Sequence, residues 1–297
     1  MTESAQQPQK NILIVTAHPE PRSLNAALAD FAAEHLRAAG HQVRTSDLYA
    51  MKWKATLDAD DYPDHPADRR LHVLDAAGRA TAEGSLSPDV AAEQEKLLWS
   101  DAVILQFPMW WFSVPGILKG WIDRVFTYGF AHGPGMPPPY SNGRLAPRRA
   151  FASVTFGAQE RAFSDRGIHG RLKDVLFPLH HGLFWFTGLA PLEPFAMYDV
   201  NEAPDDRLES AKPEYARRLD RLFTDDPIPF RTLDGGDYDH DMRLLPDVET
   251  AGTGGPDIHL RPRGEWTGSP VYPSGLVFCA FSAGFSGGWP VRGPRRW

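Results

Sequence analysis

Short apolar runs alternate with amphipathic segments through the first three quarters of the chain. Runs of this kind are typical of strands that are buried on both faces of a parallel sheet. They lie at residues 11–17, 43–48, 101–107, 149–155 and within 184–198. Apolar stripes at helical spacing predict helices at residues 24–39, 88–99, 114–127, 172–182 and 205–223. The alternation predicts an α/β protein with a doubly wound, five-stranded parallel sheet and helices on both faces.

The character of the chain changes along its length. Residues 11–225 hold the α/β pattern and form the predicted catalytic domain, in which the polar stretch 52–87 is expected to be a surface excursion. Residues 226–263 are rich in Pro, Gly and Asp without a period, which predicts an irregular wrapping segment as a C-terminal extension. We expect a disordered N-terminus over residues 1–10 and a poorly ordered tail over residues 264–297.

Composition and charge exclude several classes of protein. The formal net charge of the 297 residues is -7, whereas a general nucleic-acid binder needs a basic surface. Cys279 is the only cysteine, so an internal disulfide is impossible and a reducing compartment is favoured. No apolar run reaches the roughly 18 residues of a membrane span, and the first ten residues lack a signal-peptide core. We expect a cytoplasmic, soluble protein.

Ligands of open parallel sheets bind beyond the carboxyl ends of the strands, where the strand order reverses. After the first strand, His18 to Asn25 lead into a helix whose free amides and Ser23 suit an anion such as a pyrophosphate. A helix that is simply capped by Ser23 explains the same residues equally well. The residues alone leave both readings open.

The loops after the third and fourth strands carry the other candidates. Trp110, Trp111 and Phe112 are adjacent aromatics that could stack on a planar ligand, or else fill a dimer contact or plug the core. His169, between Gly167 and Gly170, is a candidate proton donor or electrostatic partner, because an imidazole changes its charge near neutral pH. No His, Cys and carboxylate set has convincing metal spacing.

Together these segments resemble the FAD-dependent NAD(P)H:quinone oxidoreductases of the DT-diaphorase type over roughly residues 10–225. The most specific match is Gln-Phe-Pro-Met-Trp-Trp-Phe-Ser-Val-Pro-Gly-Ile-Leu-Lys-Gly-Trp-Ile-Asp-Arg-Val-Phe at 106–126. Shorter matches are Ala-His-Pro-Glu-Pro-Arg-Ser-Leu-Asn at 17–25 and Gly-Ile-His-Gly at 167–170, with further pieces at 46–51 and 86–90. The resemblance implies a flavodoxin-like fold.

The resemblance also implies FAD as cofactor, with FMN less favoured, NADPH or NADH as hydride donor, and two-electron ping-pong transfer to a quinone-like small molecule. It implies a homodimer with the active site between two subunits. His169 would stand near the flavin carbonyl and stabilise the reduced flavin. The residues that it implies for flavin binding are His18, Ser23, Leu24 and Asn25 at the diphosphate and ribityl region, Pro108, Met109, Trp110, Trp111 and Phe112 along the isoalloxazine, Thr155, Phe156 and Gly157 at its edge, and Arg207 at the adenine end.

The chain departs from the family pattern at four positions. Phe163 stands where the family pairs the histidine with a tyrosine, and a phenyl ring cannot relay a proton. His132 and Pro134 replace two tyrosines over the substrate, and Phe156 replaces a small polar residue. Flavin binding is compatible with these changes, while the acceptor and the proton relay are left open.

Three other interpretations share these residues. The chain could be a tailoring, azo- or nitro-reductase in which Phe163 and His132 reshape the pocket. It could be a flavodoxin-type electron carrier, which the aromatic cluster and the long loop 129–147 disfavour because both suit a covered pocket. It could also be an interaction protein without flavin.

Overall fold

A six-stranded parallel sheet forms the centre of the computed structural model, which describes residues 8–202, 206–246 and 248–262. The predicted tail 264–297 and most of the predicted N-terminal segment 1–10 lie outside the described residues. The strands are β1 Asn11–Thr16, β2 Gln42–Asp47, β3 Ala102–Pro108, β4 Arg149–Thr155, β5 Ala190–Pro191 and β6 Phe195–Met197. Their order is β2-β1-β3-β4-β5, and β6 also pairs with β4. The doubly wound parallel sheet is therefore confirmed.

The fifth position of the sheet is shared by two short strands instead of the single one predicted within 184–198. Ala190 pairs with Arg149 at the start of β4, and Phe195 pairs with Ser153 nearer its end. Pro194 lies between the two short strands and has no amide N–H with which to continue the ladder. The break turns one predicted strand into β5 and β6.

Helices cover both faces of the sheet, as predicted. They are α1 Leu24–Ala38, α2 Val73–Glu83, α3 Pro88–Trp99, α4 Gly116–Val125, α5 Leu172–Val175, α6 Phe177–Leu179 and α7 Arg207–Asp220. Alternate residues of β1 serve the two faces: Ile12 and Ile14 pack with α1 and α7, while Leu13 and Val15 pack with α3 and α4. A period of two along a strand produces this division.

Residues 52–87 are not the irregular surface excursion that was predicted. The stretch contains the helix α2, whose alanine face packs with Tyr62 in a small third apolar cluster. Asp61 is buried and accepts two hydrogen bonds from the guanidinium of Arg124 in α4, at 2.8 and 2.6 Å. Trp53 stacks over the same guanidinium at 4.5 Å. A buried ion pair therefore anchors this stretch to the domain.

The helix predicted over residues 172–182 is broken. It consists of α5, α6 and a π-helical turn at His180–Trp185. Pro178 interrupts the pattern because it removes one backbone donor and its ring crowds the preceding turn. The predicted helical character is right, but its regularity is not.

Residues 226–262 contain one short 3-10 turn at Gly255–His259 and follow the surface of the α/β domain. They are attached by backbone bonds such as Ile228 N to Pro191 O at 2.8 Å and Leu233 N to Tyr140 O at 2.9 Å. Across the described residues, no helix combines the length and the apolar character needed to cross a bilayer.

Candidate functional site

The loops after β3 and β4 meet at the carboxyl edge of the sheet around an open pocket of about 140 Å³. This edge is where ligands of such sheets bind. Side chains from both loops line the pocket: Met109, Trp111, Phe112, Phe156, Gly157, Ala158, Phe163 and His169. Five of the residues predicted for flavin binding line this pocket, together with Phe163 and His169, and the pocket is apolar apart from the imidazole and the backbone.

The wall after β3 is a strained aromatic turn. Trp110 and Ser113 exchange backbone hydrogen bonds at 3.1 and 3.0 Å, which forces the two residues between them into the left-handed region. Trp111 has a φ of 51° and Phe112 a φ of 58°, a conformation that costs non-glycine residues roughly 1–2 kcal/mol each. The turn leaves Trp111 95% and Phe112 52% exposed. Strain that exposes aromatic rings is typical of a ligand site.

The backbone of this turn also faces the solvent side of the pocket. The amides of Trp111 and Phe112 have no hydrogen-bond acceptor among the described residues. Pro108 ends β3 in the buried sheet, and the Met109 amide bonds to Thr155 O at 2.8 Å, which ties the turn to β4. The site therefore offers two free backbone donors beside two exposed rings.

The wall after β4 is built from stacked rings. Phe156 stacks on Tyr198 with ring centroids 5.0 Å apart and lies 4.9 Å from Phe163. Burial, together with the nearby Glu160 carboxylate, raises the pKa of Tyr198 to about 12. The phenol is therefore neutral at physiological pH.

Gly157 lets an amide side chain approach the backbone of this wall. A Cβ at this position would lie 2.4 Å from Nδ2 of Asn201, so only glycine lets the amide approach the backbone here. Asn201 is exposed at the end of this wall. Neither Asn201 nor Tyr198 was predicted from the sequence, because both follow β6 and only the folded sheet brings them to the loop after β4.

His169 closes the pocket between the two loops. Its imidazole lies 5.1 Å from the Phe112 ring and 4.9 Å from the Phe163 ring, and the side chain is half-buried. Its amide donates to Ala162 O at 3.0 Å. Phe163 offers no hydroxyl, so among the residues that line the pocket only His169 has an ionisable side chain.

The N-terminus of α1 points to the same edge. The Ser23 hydroxyl accepts from the Ala26 amide at 3.2 Å, as a capping residue does. The amides of Leu24 and Asn25 have no acceptor in the described part of the chain, so the capped helix also leaves two donors for an anion. The His18 ring lies 6.5 Å from the Trp110 ring and connects this helix start to the aromatic turn.

The Asn25 side chain lies beneath the site, in a buried polar chain. It donates to Thr155 Oγ1 and accepts from Gln106 Nε2, both at 2.9 Å. Tyr215 in α7 donates in turn to Gln106 at 3.4 Å. Asn25 and Thr155 are both buried, so their side chains join β3, β4 and α1 and hold the loops from below.

His132 and Arg207 are also among the predicted residues that do not line the pocket. His132 packs between Tyr128 and Phe186, with each ring centroid 5.5 Å away, and burial lowers its pKa. Arg207 begins α7 and donates to the carbonyl of Tyr198, and its buried Nε has no partner among the described residues. The described residues also contain no group of His, Cys, Asp or Glu side chains that could hold a metal ion.

The strand order is that of a flavodoxin-like sheet. The exposed aromatic turn, the free amides and the imidazole stand at the edge where such sheets bind their ligands. Residues 10–221 match a protein family that is described as having a flavodoxin-like fold. The chain is similar to the ribosyldihydronicotinamide dehydrogenase-like protein traD of Penicillium crustosum, with 46% identity over 76% of this chain and 86% of that protein. It is 36% identical to the rat NAD(P)H dehydrogenase [quinone] 1, over 74% of this chain and 80% of that protein.

Structural comparison gives the same result. A protein of Klebsiella pneumoniae that is provisionally assigned as a quinone reductase superposes with a TM-score of 0.81 and 42% identity, over 85% of this chain and 100% of that chain. The chain thus belongs to the flavodoxin-like NAD(P)H:quinone oxidoreductase family, as the sequence motifs predicted.

Proposed function

We propose that the protein is a flavin-dependent NAD(P)H:quinone oxidoreductase with FAD as its cofactor. The observation that carries the proposal is the pocket in which the strained turn Trp111-Phe112 faces His169 across the carboxyl edge of the sheet. The chemistry that a bound flavin supplies is two-electron hydride transfer between a dihydronicotinamide and a quinone in alternate half-reactions. The family relationship supports the same reaction.

The residues of the pocket fit an isoalloxazine. Exposed rings at Trp111 and Phe112 suit stacking on a planar ring system, and their free amides suit its carbonyl and nitrogen edge. Gly157 and Ala158 add small residues to the opposite wall. The amides of Leu24 and Asn25 suit a diphosphate. Arg207, at the start of α7, is the residue that the family resemblance assigns to the adenine end of FAD.

His169 has the central electrostatic role in this proposal. With a flavin bound, an N–H of the His169 imidazole would stabilise negative charge at the edge of the isoalloxazine. Phe163 and Phe156 surround the imidazole with apolar surface, so charge interactions there are strong. The family tyrosine has no counterpart at Phe163, and His169 acts without a hydroxyl relay.

The donor and the acceptor follow from the relatives and from the shape of the pocket. Relatives of this chain are named for NAD(P)H and for ribosyldihydronicotinamide, so both donor classes are expected to bind. The apolar wall favours an uncharged aromatic acceptor of the quinone type. We also propose a homodimer, because Ile168 and Trp111 are 92% and 95% exposed beside the pocket and apolar patches of this kind are typical of interfaces.

The test is a spectroscopic titration of the purified protein. We expect a yellow protein that bleaches on anaerobic addition of NADPH, NADH or dihydronicotinamide riboside, and that recovers its colour with a quinone. Mass spectrometry of the released flavin distinguishes FAD from FMN, and light scattering measures the oligomeric state. An acceptor panel that includes azo and nitro compounds separates the quinone reductase from a tailoring, azo- or nitro-reductase.

Two outcomes would refute the proposal. A flavin that bleaches with dithionite but with none of the three donors would indicate an electron carrier. A colourless protein that takes up neither FAD nor FMN would indicate an interaction protein without flavin. Trp111→Ala is the matched variant for the flavin-uptake measurement. This exposed side chain contributes little to the core, so its loss is expected to weaken flavin uptake without unfolding the protein.

A further inference from the structure

The loop that carries His169 is folded tightly on itself. Gly167 crosses the chain so closely that a Cβ would lie 2.1 Å from the carbonyl oxygen of Ala162. The His169 amide bonds to the same oxygen at 3.0 Å. On the pocket side, the imidazole lies against the aromatic rings of Phe112 and Phe163. None of these contacts ties the loop to a polar anchor elsewhere in the chain.

Such an anchor lies two residues beyond the histidine. Nη1 of Arg171 donates to Oδ2 of Asp257 at 2.7 Å, across 86 positions of sequence. The Nε and Nη2 atoms of the same guanidinium pair with Asp174 in α5, at 2.7 and 2.8 Å. Within the described part of the chain, Arg171 forms ion pairs with Asp165, Asp174 and Asp257. Of these three carboxylates, only Asp257 lies outside the His169 loop and helix α5.

The segment 226–262 presents Asp257 from a fixed position. Its buried Arg231 donates through Nε to the carbonyl of Ile258 at 3.1 Å and through its amide to the carbonyl of His259 at 2.9 Å. Trp185 anchors Arg231 to the α/β domain through a bond from Nε1 to the Arg231 carbonyl at 2.9 Å. Asp257 is therefore attached to the domain independently of the loop that it holds.

The carboxylate of Asp257 is charged at neutral pH. Its partial burial opposes ionisation, but the hydrogen bonds from Lys173 and Arg171 outweigh this effect and hold its pKa below the usual value. Both partners are cations, so the contacts are charge-assisted and stronger than neutral hydrogen bonds. Lys173 reaches the carboxylate at 2.9 Å and adds a second point of attachment.

We propose that Asp257 is a positioning residue for His169: by holding Arg171, it fixes the loop that places the imidazole against the flavin. The inference rests on the proposed function, because it assigns the imidazole to a bound flavin. Asp257 itself does not line the pocket and acts through Arg171. A segment outside the parallel sheet would in this way set the electrostatics of the reaction.

The experiment compares Asp257→Asn with the wild-type holoenzyme. Asparagine keeps the shape and removes the charge. We expect hydrogen exchange in residues 160–172 to become about tenfold faster, without change in the strands of the sheet. We expect the flavin midpoint potential to shift in the same direction as in His169→Gln, with partial rescue in Asp257→Glu.

The matched control is Asp241→Asn, a carboxylate of the same segment that is 67% exposed and pairs with the neighbouring His240 at 3.4 Å. It should leave exchange and potential unchanged. Unchanged hydrogen exchange in Asp257→Asn would overturn the proposal. Faster exchange with an unchanged flavin midpoint potential would also overturn it, because Asp257 would then stabilise the loop without affecting the flavin. A wild-type chain that takes up neither FAD nor FMN would refute the proposed function, and exchange alone would then decide whether Asp257 holds the loop.

Discussion

The imidazole of His169 meets the Phe112 ring edge-on, with the ring centroids 5.1 Å apart and the planes inclined by 67°. Phe112 belongs to the turn after β3 and His169 to the loop after β4, so this contact joins the two walls of the pocket. The exposed aromatic surface and the only ionisable side chain of the pocket wall are thereby brought to one point. The predictions about catalysis follow from this relationship.

Replacing His169 with Gln removes the imidazole while retaining a hydrogen-bond donor. We expect the rate of flavin reduction by NADPH to fall roughly 100-fold, the lower end of the range for the loss of one charge-stabilising donor. Stopped-flow absorbance of the bleaching flavin measures this rate. His72→Gln, at an exposed histidine far from the pocket, is the control. An unchanged rate in His169→Gln would show that the imidazole has no part in the reduction.

Replacing Trp111 with Gly tests whether the turn exchanges stability for binding. Glycine relieves the left-handed conformation at φ 51°, so the apoprotein should gain up to about 1 kcal/mol. Loss of the 95% exposed ring should weaken flavin binding about tenfold or more, because a base-sized stacking contact contributes roughly 1–3 kcal/mol. Urea unfolding and fluorescence titration with FAD measure the two effects.

The matched control for Trp111→Gly is Lys52→Gly. Lys52 is exposed and has a similar φ of 53°, but it lies away from the pocket. It should give the same gain in stability with unchanged flavin affinity. Equal flavin affinity in both variants would mean that the Trp111 ring is not a flavin contact.

The strands and the loops of the pocket were predictable because their signal is local. The apolar run 11–17 became β1 Asn11–Thr16, and the three aromatics after β3 stand between two prolines. Helix α2 was missed because its buried face is made of alanines, and the partner Tyr128 comes from a distant loop. Alanines without a large apolar neighbour leave little periodic signal.

The role of individual polar residues was harder to predict from the sequence. Asn25 has the side chain of a ligand-binding residue, yet its amide is engaged by Gln106 and Thr155, which lie 81 and 130 positions away. The presence of an asparagine in the sequence does not show whether its amide bonds to the protein interior or to a ligand. Neither Asn201 nor Asp257 belongs to a sequence motif. Only the folded chain brings Asn201 near the pocket and Asp257 near the loop that carries His169.

The ion pair of Arg124 and Asp61 should be among the strongest single contributions to stability. Both side chains are nearly inaccessible, at 1% and 4% exposure, and removing Asp61 leaves the buried guanidinium with Asp89, a half-exposed carboxylate, as its remaining ion-pair partner at 2.7 Å. We expect Asp61→Asn to lower the free energy of unfolding by about 3 kcal/mol, as measured by urea denaturation.

The control for Asp61→Asn is Asp123→Asn, which breaks the exposed pair with Lys119 on α4. Exposed pairs of this kind contribute less than about 1 kcal/mol. Comparable losses in the two variants would contradict the assignment of residues 52–87 to the packed domain, since the ion pair of Asp61 would then behave as a surface contact.

Buried histidines should make the protein labile to acid. Burial lowers the pKa of His180 from 6.5 to about 4, so between these values the unfolded chain binds a proton that the folded chain excludes. Stability is therefore fully present above pH 6.5 and is lost toward pH 4, by about 3 kcal/mol for this residue. We expect urea unfolding between pH 7 and 4.5 to show that the free energy of unfolding falls less steeply in His180→Leu than in the wild type. The exposed control His72→Leu should fall as steeply as the wild type. Equal slopes would show that His180 does not cause the lability.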